Sequence, residues 1–463
     1  MSPEKYISKT IDPQSVSMER FNQDLFSFID NSPTPFHAVK SMAEELKAKG
    51  FIHLDEADAW NLEPGGRYCI TRNESCLIAF IMGHTPPWES GIKSAGAHTD
   101  SPCLKVKPHP LYRQESMLRL GCEVYGGTLF NTWFDRGLNL AGRVTCRTVE
   151  NGKEKLASFL INFDRPVAII PSLAIHLDRE ANSNRTVNPE LQLPPIFSLY
   201  DQTDDRMNGS GDKDSFTNIL LDQISQEHPT RNPVEVKAWE LSFSDAQPCN
   251  LGGVDNDMIS APRLDNLLSC FAAIKSLESA DPSSTAMVIL TDNEEVGSDT
   301  RTGARGSFLE SVLSRMTKTP ERLARTAARS FMISCDNAHG VHPAFREKHE
   351  ANHRPLLNLG PVLKTNASQR YTTNSESAAV FMEICRGADL SLQQFVMRSD
   401  LGCGSTIGPA ISAKTGIRTV DVGAATLAMH SVREMTGSKD PYMMFKALNH
   451  YFSLDDPPLL SLT

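Results

Sequence analysis

Two histidines and three carboxylates carry the chemistry this sequence offers: His98, Asp265, Glu295, Asp336 and His430 each fall where a short segment reads as the end of a strand or the start of a helix. Imidazole nitrogen and carboxylate oxygen are donors that zinc takes, and paired metal ions commonly share a bridging carboxylate. The set therefore has the composition of a two-metal centre. The segment LTDNEEVGS places Glu294 beside Glu295. Neighbouring side chains on an extended segment point in different directions, so Glu295 can ligate while Glu294 faces substrate. A metal-activated water needs such a carboxylate to take its proton and pass it to a leaving amine. In GAHTDSP, Asp100 follows His98 by two positions, placed to accept the second ring N–H of a metal-bound histidine or to orient a ligand. Capping the turn before Ser101-Pro102 is its competing role.

The elements that must position these residues follow one grammar. Residues 19–50 read as two helices broken by a Pro-containing turn, with Gly50 a C-cap. CLIAFIMG at 76–83 reads as a buried strand, and a second strand leads into GAHTDSP at 96–102. MVILTDNEEVGS, FMISCDNAH and IRTVDVGAA are apolar, β-rich runs ending in polar or Gly residues, separated by helices such as Asp265–Ser279 and Ser375–Arg386. Alternating strands and helices imply an α/β sheet covered on both faces, with chemistry at the carboxyl edge. Between 105 and 249 the grammar changes to β-rich segments, among them LGCEVYGG, GRVTCRTVE and RPVAIIP. That stretch reads as a domain inserted into a discontinuous one formed by 1–104 and 250–463. Much of 201–233, polar and Gly-containing at its start, reads as a surface excursion.

Composition sets the outer limits. The 463 residues are 40% apolar and 22% charged, which suits two globular domains. A formal net charge of −10 argues against a broad nucleic-acid surface, so any cationic site must be local. No run of membrane-spanning or signal-peptide length appears, and ten scattered cysteines form no CxxC pair. A cytoplasmic protein with reduced thiols is expected, with delivery to a vacuole or lysosome left open. RSDLGCGSTIGP at 398–409 lacks the GxxxxGK[ST] spacing of a phosphate-binding loop.

The segments GAHTDSPCLKVKP, GGTLFNTWFDRGLNLAGRV, IIPSLAIHLDR, APRLDN, LTDNEEVGS, HEANHRP, GPVLKTNASQRY and LAMHSVRE, in this order, resemble the aspartyl aminopeptidase family of co-catalytic zinc peptidases across nearly the whole chain. The resemblance implies a catalytic domain with a central mixed sheet covered by helices, carrying an inserted β-rich dimerisation domain. It implies two zinc ions per subunit, one held by His98 and Asp336, the other by Glu295 and His430, with Asp265 bridging. Glu294 becomes the general acid/base. His176, delivered from a neighbouring subunit, becomes a catalytic residue that contacts substrate and stabilises the oxyanion. Lys364, Tyr371, His339 and Asp336 become substrate contacts, with Lys364 selecting Asp or Glu at the peptide N-terminus. Asp400 matches an acidic position in the Gly-rich segment. A large homo-oligomer, a dodecamer built from dimers, is also implied. Small departures, such as Cys335 and Asn337 beside Asp336 and Leu401-Gly402 in the Gly-rich segment, leave the ligand set intact. The same ligands would also serve a neutral aminopeptidase or an N-acyl amino-acid deacylase, and a scaffold that has lost its chemistry is the remaining alternative.

Overall fold

Alternating apolar runs and helices build a nine-stranded mixed sheet in the computed structural model, which describes residues 17–150, 152–199 and 212–458. Its centre is four parallel strands in the order Thr285–Thr291, Ile92–His98, Phe331–Cys335 and Arg418–Gly423. Three of these four are buried at every position, and the fourth at all but its first. That is why they read as unbroken apolar runs rather than as alternating ones. Antiparallel Cys76–Ile81 and Val362–Thr365 flank them.

Helices cover both faces. Met18–Asp30 is capped by the Ser17 side chain, and Pro35–Ala48 starts on a proline that presets the helical φ. Gly50 follows at φ +83°, a left-handed conformation that costs glycine nothing. Both helices pack against Leu264–Glu278, which is buried along nearly its whole length, and Met18–Asp30 also meets Asp440–Ser453. The C-terminal helix is fastened to the sheet by Lys93, fully buried, whose Nζ donates to the carbonyl of Phe452 at 3.0 Å.

The strands between Cys103 and Asp245 form a second sheet of seven. Pro233–Asp245 pairs on one side with Cys103–Gln114 and on the other with Gly137–Glu150, which closes the sheet into a barrel. Its interior carries Leu104, Leu118, Leu120, Leu138, Leu140 and Val144. The expectation of a surface excursion across 201–233 needs correction where the chain is described. Asp212–Glu227 is a helix whose Phe216, Leu220 and Ile224 are buried in the barrel core; residues 201–211 lie outside the described part. The three positions recur every four residues, the period of a helix face, and that apolar stripe outweighs the polar residues around it.

A third sheet, of five strands, is built from the chain that follows the barrel. It runs Asn250–Gly252, Met258–Ala261, Glu434–Gly437, Ala425–Leu427 and Ala338–His339.

Candidate metal centre

His98 ends its strand directly opposite Thr291, and the chain beyond Thr291 turns through Asn293 (φ +64°) into the short helical turn Glu294–Val296. Asp336 follows the strand Phe331–Cys335 by one residue. Asp265 lies at the start of Leu264–Glu278, and His430 (φ +66°) lies in the connection between Ala425–Leu427 and Glu434–Gly437. A non-glycine residue held at such a φ persists only when its surroundings fix it. Here the main-chain N–H of His430 donates to Glu434 Oε1 at 2.7 Å, and that of Asp265 donates to Glu434 Oε2 at 2.8 Å. One buried carboxylate thus ties two candidate ligands together.

All five candidate ligands converge. Asp265 has Oδ1 3.4 Å from His98 Nε2 and Oδ2 3.6 Å from His430 Nε2. Asp336 Oδ1 lies 4.0 Å from His98 Nε2, and Glu295 Oε1 lies 3.4 Å from His430 Nε2. Three triads able to hold an ion follow: His98 with Asp265 and Asp336, Asp265 with Glu295 and His430, and His98 with Glu294 and Glu295. Zinc fits them on the chemistry of the donors and on a second observation. Asp265 Oδ1 and Glu295 Oε1 are buried with no hydrogen-bond partner, which is costly unless a cation faces them.

Asp100 meets the second ring nitrogen of His98, as its spacing suggested, and does a further job. His98 Nδ1 meets the Asp100 backbone carbonyl at 3.0 Å and its carboxylate at 3.4 Å. The carboxylate itself accepts from the N–H of Glu294 and of Glu295, both at 3.1 Å, and from the Tyr125 hydroxyl at 2.7 Å. It therefore caps the turn that carries both glutamates.

The inserted region reaches the centre through residues that sequence reasoning left without a role. Tyr125 ends a barrel strand, and its hydroxyl also accepts from Asn293 Nδ2 at 3.1 Å. Gly126 and Gly127 follow. A Cβ on Gly126 would stand 3.1 Å from Glu295 Cβ, and one on Gly127 would stand 3.1 Å from His430 Nδ1. The backbone must come this close because the Gly127 carbonyl orients His430, lying 3.1 Å from Nδ1. The paired glycines in GGTLFNTW were the available signal, since adjacent glycines mark close backbone approach.

The electrostatics are those of carboxylates and imidazoles crowded together out of water. Burial pushes the Glu294 carboxyl up to about 8, helped by the charges of Asp336, Asp100 and Asp265 and opposed by His98. Burial raises Asp336 to about 6, against the pull of Lys364. Glu295 is raised well above the carboxylate range by burial and by Asp265. Burial would also raise Asp265, but the imidazoles of His430 and His98 that face it hold it below that range. His430 is carried up to about 10, burial being outweighed by Asp265 and Glu295.

A cleft of ≈ 1090 Å³ opens over this cluster, lined also by Lys364, Tyr371, His339 and residues 404–406 of the Gly-rich segment. Lys364 is 2% exposed; its Nζ lies 3.7 Å from Asp336 Oδ2 and 5.0 Å from the Tyr371 ring centroid. His339 packs edge-on against Phe395 at 5.6 Å, and burial lowers it to about 4, so it is neutral near pH 7. Asp421 fixes the wall by accepting from the Thr372 and Thr406 hydroxyls. Two expected residues lie elsewhere. Asp400 is exposed and paired with Arg398 at 2.6 Å. His176 is exposed on a loop of the inserted region, between Leu173 (51% exposed) and Leu177 (75%), and does not line the cleft.

Comparison with known proteins identifies the family. The Peptidase M18 profile, described as aminopeptidase I zinc metalloprotease, matches residues 28–452. A Pseudomonas fluorescens (strain SBW25) protein named "Probable M18 family aminopeptidase 2" is 47% identical over 440 residues, 95% of this chain and all of that one. The fold is similar to Ape4 in a structure of the Ape4 and Nbr1 complex, with TM-score 0.90 and 37% identity over 95% of this chain and 86% of that one. It is also similar to a subunit of the S. cerevisiae mApe1 dodecamer, with TM-score 0.80 and 31% identity over 94% and 96%. The chain belongs to the M18 family of zinc aminopeptidases.

Proposed function

We propose that the chain is an aspartyl aminopeptidase, a two-zinc enzyme that releases Asp or Glu from peptide N-termini. The observation that carries this reading is Asp265, whose two oxygens face His98 and His430 separately, with Glu294 beside them on the turn that Asp100 caps. His98 and Asp336 would hold one zinc, Glu295 and His430 the other, with Asp265 between them. Zinc bound there supplies Lewis acidity, making water nucleophilic near neutral pH and polarising the scissile carbonyl.

The chain's own groups do the rest. Glu294 takes the proton of the attacking water and delivers it to the leaving amine. Asp100 holds the Glu294 and Glu295 turn while the proton moves. Lys364, buried under Tyr371, supplies the charge that compensates an acidic side chain for its lost hydration. Tyr371 and neutral His339 add hydrogen bonds, and Asp336 faces the substrate from the metal side. His176 comes from a neighbouring subunit to the oxyanion. Its exposure among apolar loop residues supports that placement, as does the dodecamer of the S. cerevisiae neighbour. The assembly is accordingly a dodecamer built from dimers through the inserted domain, working in the cytoplasm.

The test is release of the first residue from Asp-, Glu-, Leu- and N-acetyl-Asp-peptides by zinc-loaded, chelated and reloaded protein. Zinc-dependent release from Asp and Glu alone is expected. Equal release of Leu assigns a neutral aminopeptidase, and hydrolysis of the N-acetyl bond assigns a deacylase. Mixed oligomers of His176→Ala and Glu294→Gln subunits should regain activity, and none regained in verified mixtures would remove the shared site.

A further inference from the structure

Two arginines at the mouth of the cleft take no part in the chemistry above. Arg305 and Arg370 line the same space as the metal ligands, and both are exposed. Arg305 stands 3.7 Å from Asp299, itself 82% exposed, a loose surface pair. Among the described residues, the Arg370 guanidinium pairs with no carboxylate. Its backbone is nonetheless held at both ends, the N–H donating to Asn366 Oδ1 at 3.3 Å and the carbonyl accepting from Ser405 Oγ at 3.2 Å. A free fork on an anchored stretch of chain is prepared for a planar anion.

Depth decides which anion. Lys364 is buried at the inner wall, next to Tyr371 and Asp336. An exopeptidase must enclose the free amine and first side chain, and the rest of the peptide has to leave through the mouth. Cations at the rim therefore meet the part of the substrate beyond the scissile bond. With a formal charge of −10, the chain as a whole repels a peptide rich in carboxylates, so capture depends on such local positive groups.

We propose that Arg370, assisted by Arg305, is a specificity-determining residue that engages a carboxylate on the leaving side of the peptide, whether a terminal carboxylate or an acidic side chain. The inference rests on the aminopeptidase reading and deepens it. It is tested with zinc-loaded protein by comparing kcat/KM for Asp-Ala-NH2, Asp-Ala and Asp-Glu-NH2, and for the same three peptides beginning with Leu. The wild type should favour the two peptides with a leaving-side carboxylate by about fivefold, the upper worth of one exposed ion pair, and through KM. Arg370→Gln, and more fully the double variant with Arg305→Gln, should abolish that preference while leaving Asp-Ala-NH2 unchanged. Preference for Asp-Ala alone assigns the terminal carboxylate, and equal preference for Asp-Glu-NH2 includes the side chain. A preference that survives in the double variant overturns the proposal, as does an equal decline on all three peptides, which would mark a structural role. Release of Leu in place of Asp overturns the acidic first position only. The ratio is then read on the Leu series, so Arg370 stands or falls separately.

Discussion

Replacing Asp100 by Asn removes one charge and hardly any volume, and the geometry fixes what must follow. The carboxylate serves three donors: the Glu294 N–H on Oδ1, and the Glu295 N–H and Tyr125 hydroxyl on Oδ2. An amide has only one oxygen. Placed at the Oδ2 position, it leaves an NH2 against the Glu294 N–H; placed at Oδ1, it turns the NH2 toward the Glu295 N–H. Either way the backbone of the proton-transfer residue or of a ligand loses its acceptor inside a buried site. A hydrogen bond to a charged partner is worth about 1.5–3 kcal/mol, which corresponds to about 10- to 100-fold in an equilibrium constant. Zinc affinity and kcat should fall by that order, because the turn, rather than the fold, is what loosens. Competition against a chelator of known affinity measures the first, steady-state turnover the second, and circular dichroism checks that the chain is folded. A folded Asp100→Asn protein that keeps zinc affinity and kcat within about threefold of wild type would refute the capping argument.

Glu294→Gln should retain zinc by metal analysis and lose about 10²- to 10⁴-fold in kcat, the usual share of general acid–base catalysis; near wild-type turnover would remove its role. Zinc uptake should release protons. The metal-free centre binds them above the ordinary range at Glu295, at Glu294 up to about 8 and at His430 up to about 10, while ligands must be deprotonated to coordinate. Apparent zinc affinity should therefore weaken as pH falls from 8 to 6, roughly tenfold or more per unit, and calorimetry in buffers of different ionisation enthalpy should show the release. An affinity flat across that range would contradict it. Phe216→Ala should destabilise the inserted region by about 3–5 kcal/mol in denaturant unfolding, since Phe216 is 1% exposed and edge-on to Trp239 at 5.3 Å. A loss under about 1 kcal/mol would mean that the helix does not dock there.

His98, Glu295 and Asp336 were readable as candidate ligands because each follows an apolar run that ends at one edge of the parallel strands, whereas Asp265 opens a helix and His430 follows a strand of the five-stranded sheet. His98 opposite Thr291 is that rule made concrete. The adjacent glutamates were readable as well, since direction alternates along the chain. What surrounds them was harder to see. Glu434 belongs to the quoted LAMHSVRE segment, but nothing in its spacing shows that it bonds the main chain of Asp265, 169 positions away. Tyr125, Gly126 and Gly127 act on the centre from the inserted barrel, and contacts between regions leave no periodic trace. Barrel closure depends on Pro233–Asp245 pairing with strands about a hundred residues earlier, which local pattern does not specify. The helix over 212–227 was hidden by charge, although Phe216, Leu220 and Ile224 kept its period.

Zinc-edge anomalous diffraction from crystals of the zinc-loaded protein tests the central claim most directly. Two peaks about 3.5–4 Å apart are expected, one between His98 and Asp336, the other between Glu295 and His430, with Asp265 touching both. A single peak, or peaks away from these side chains, would contradict the account.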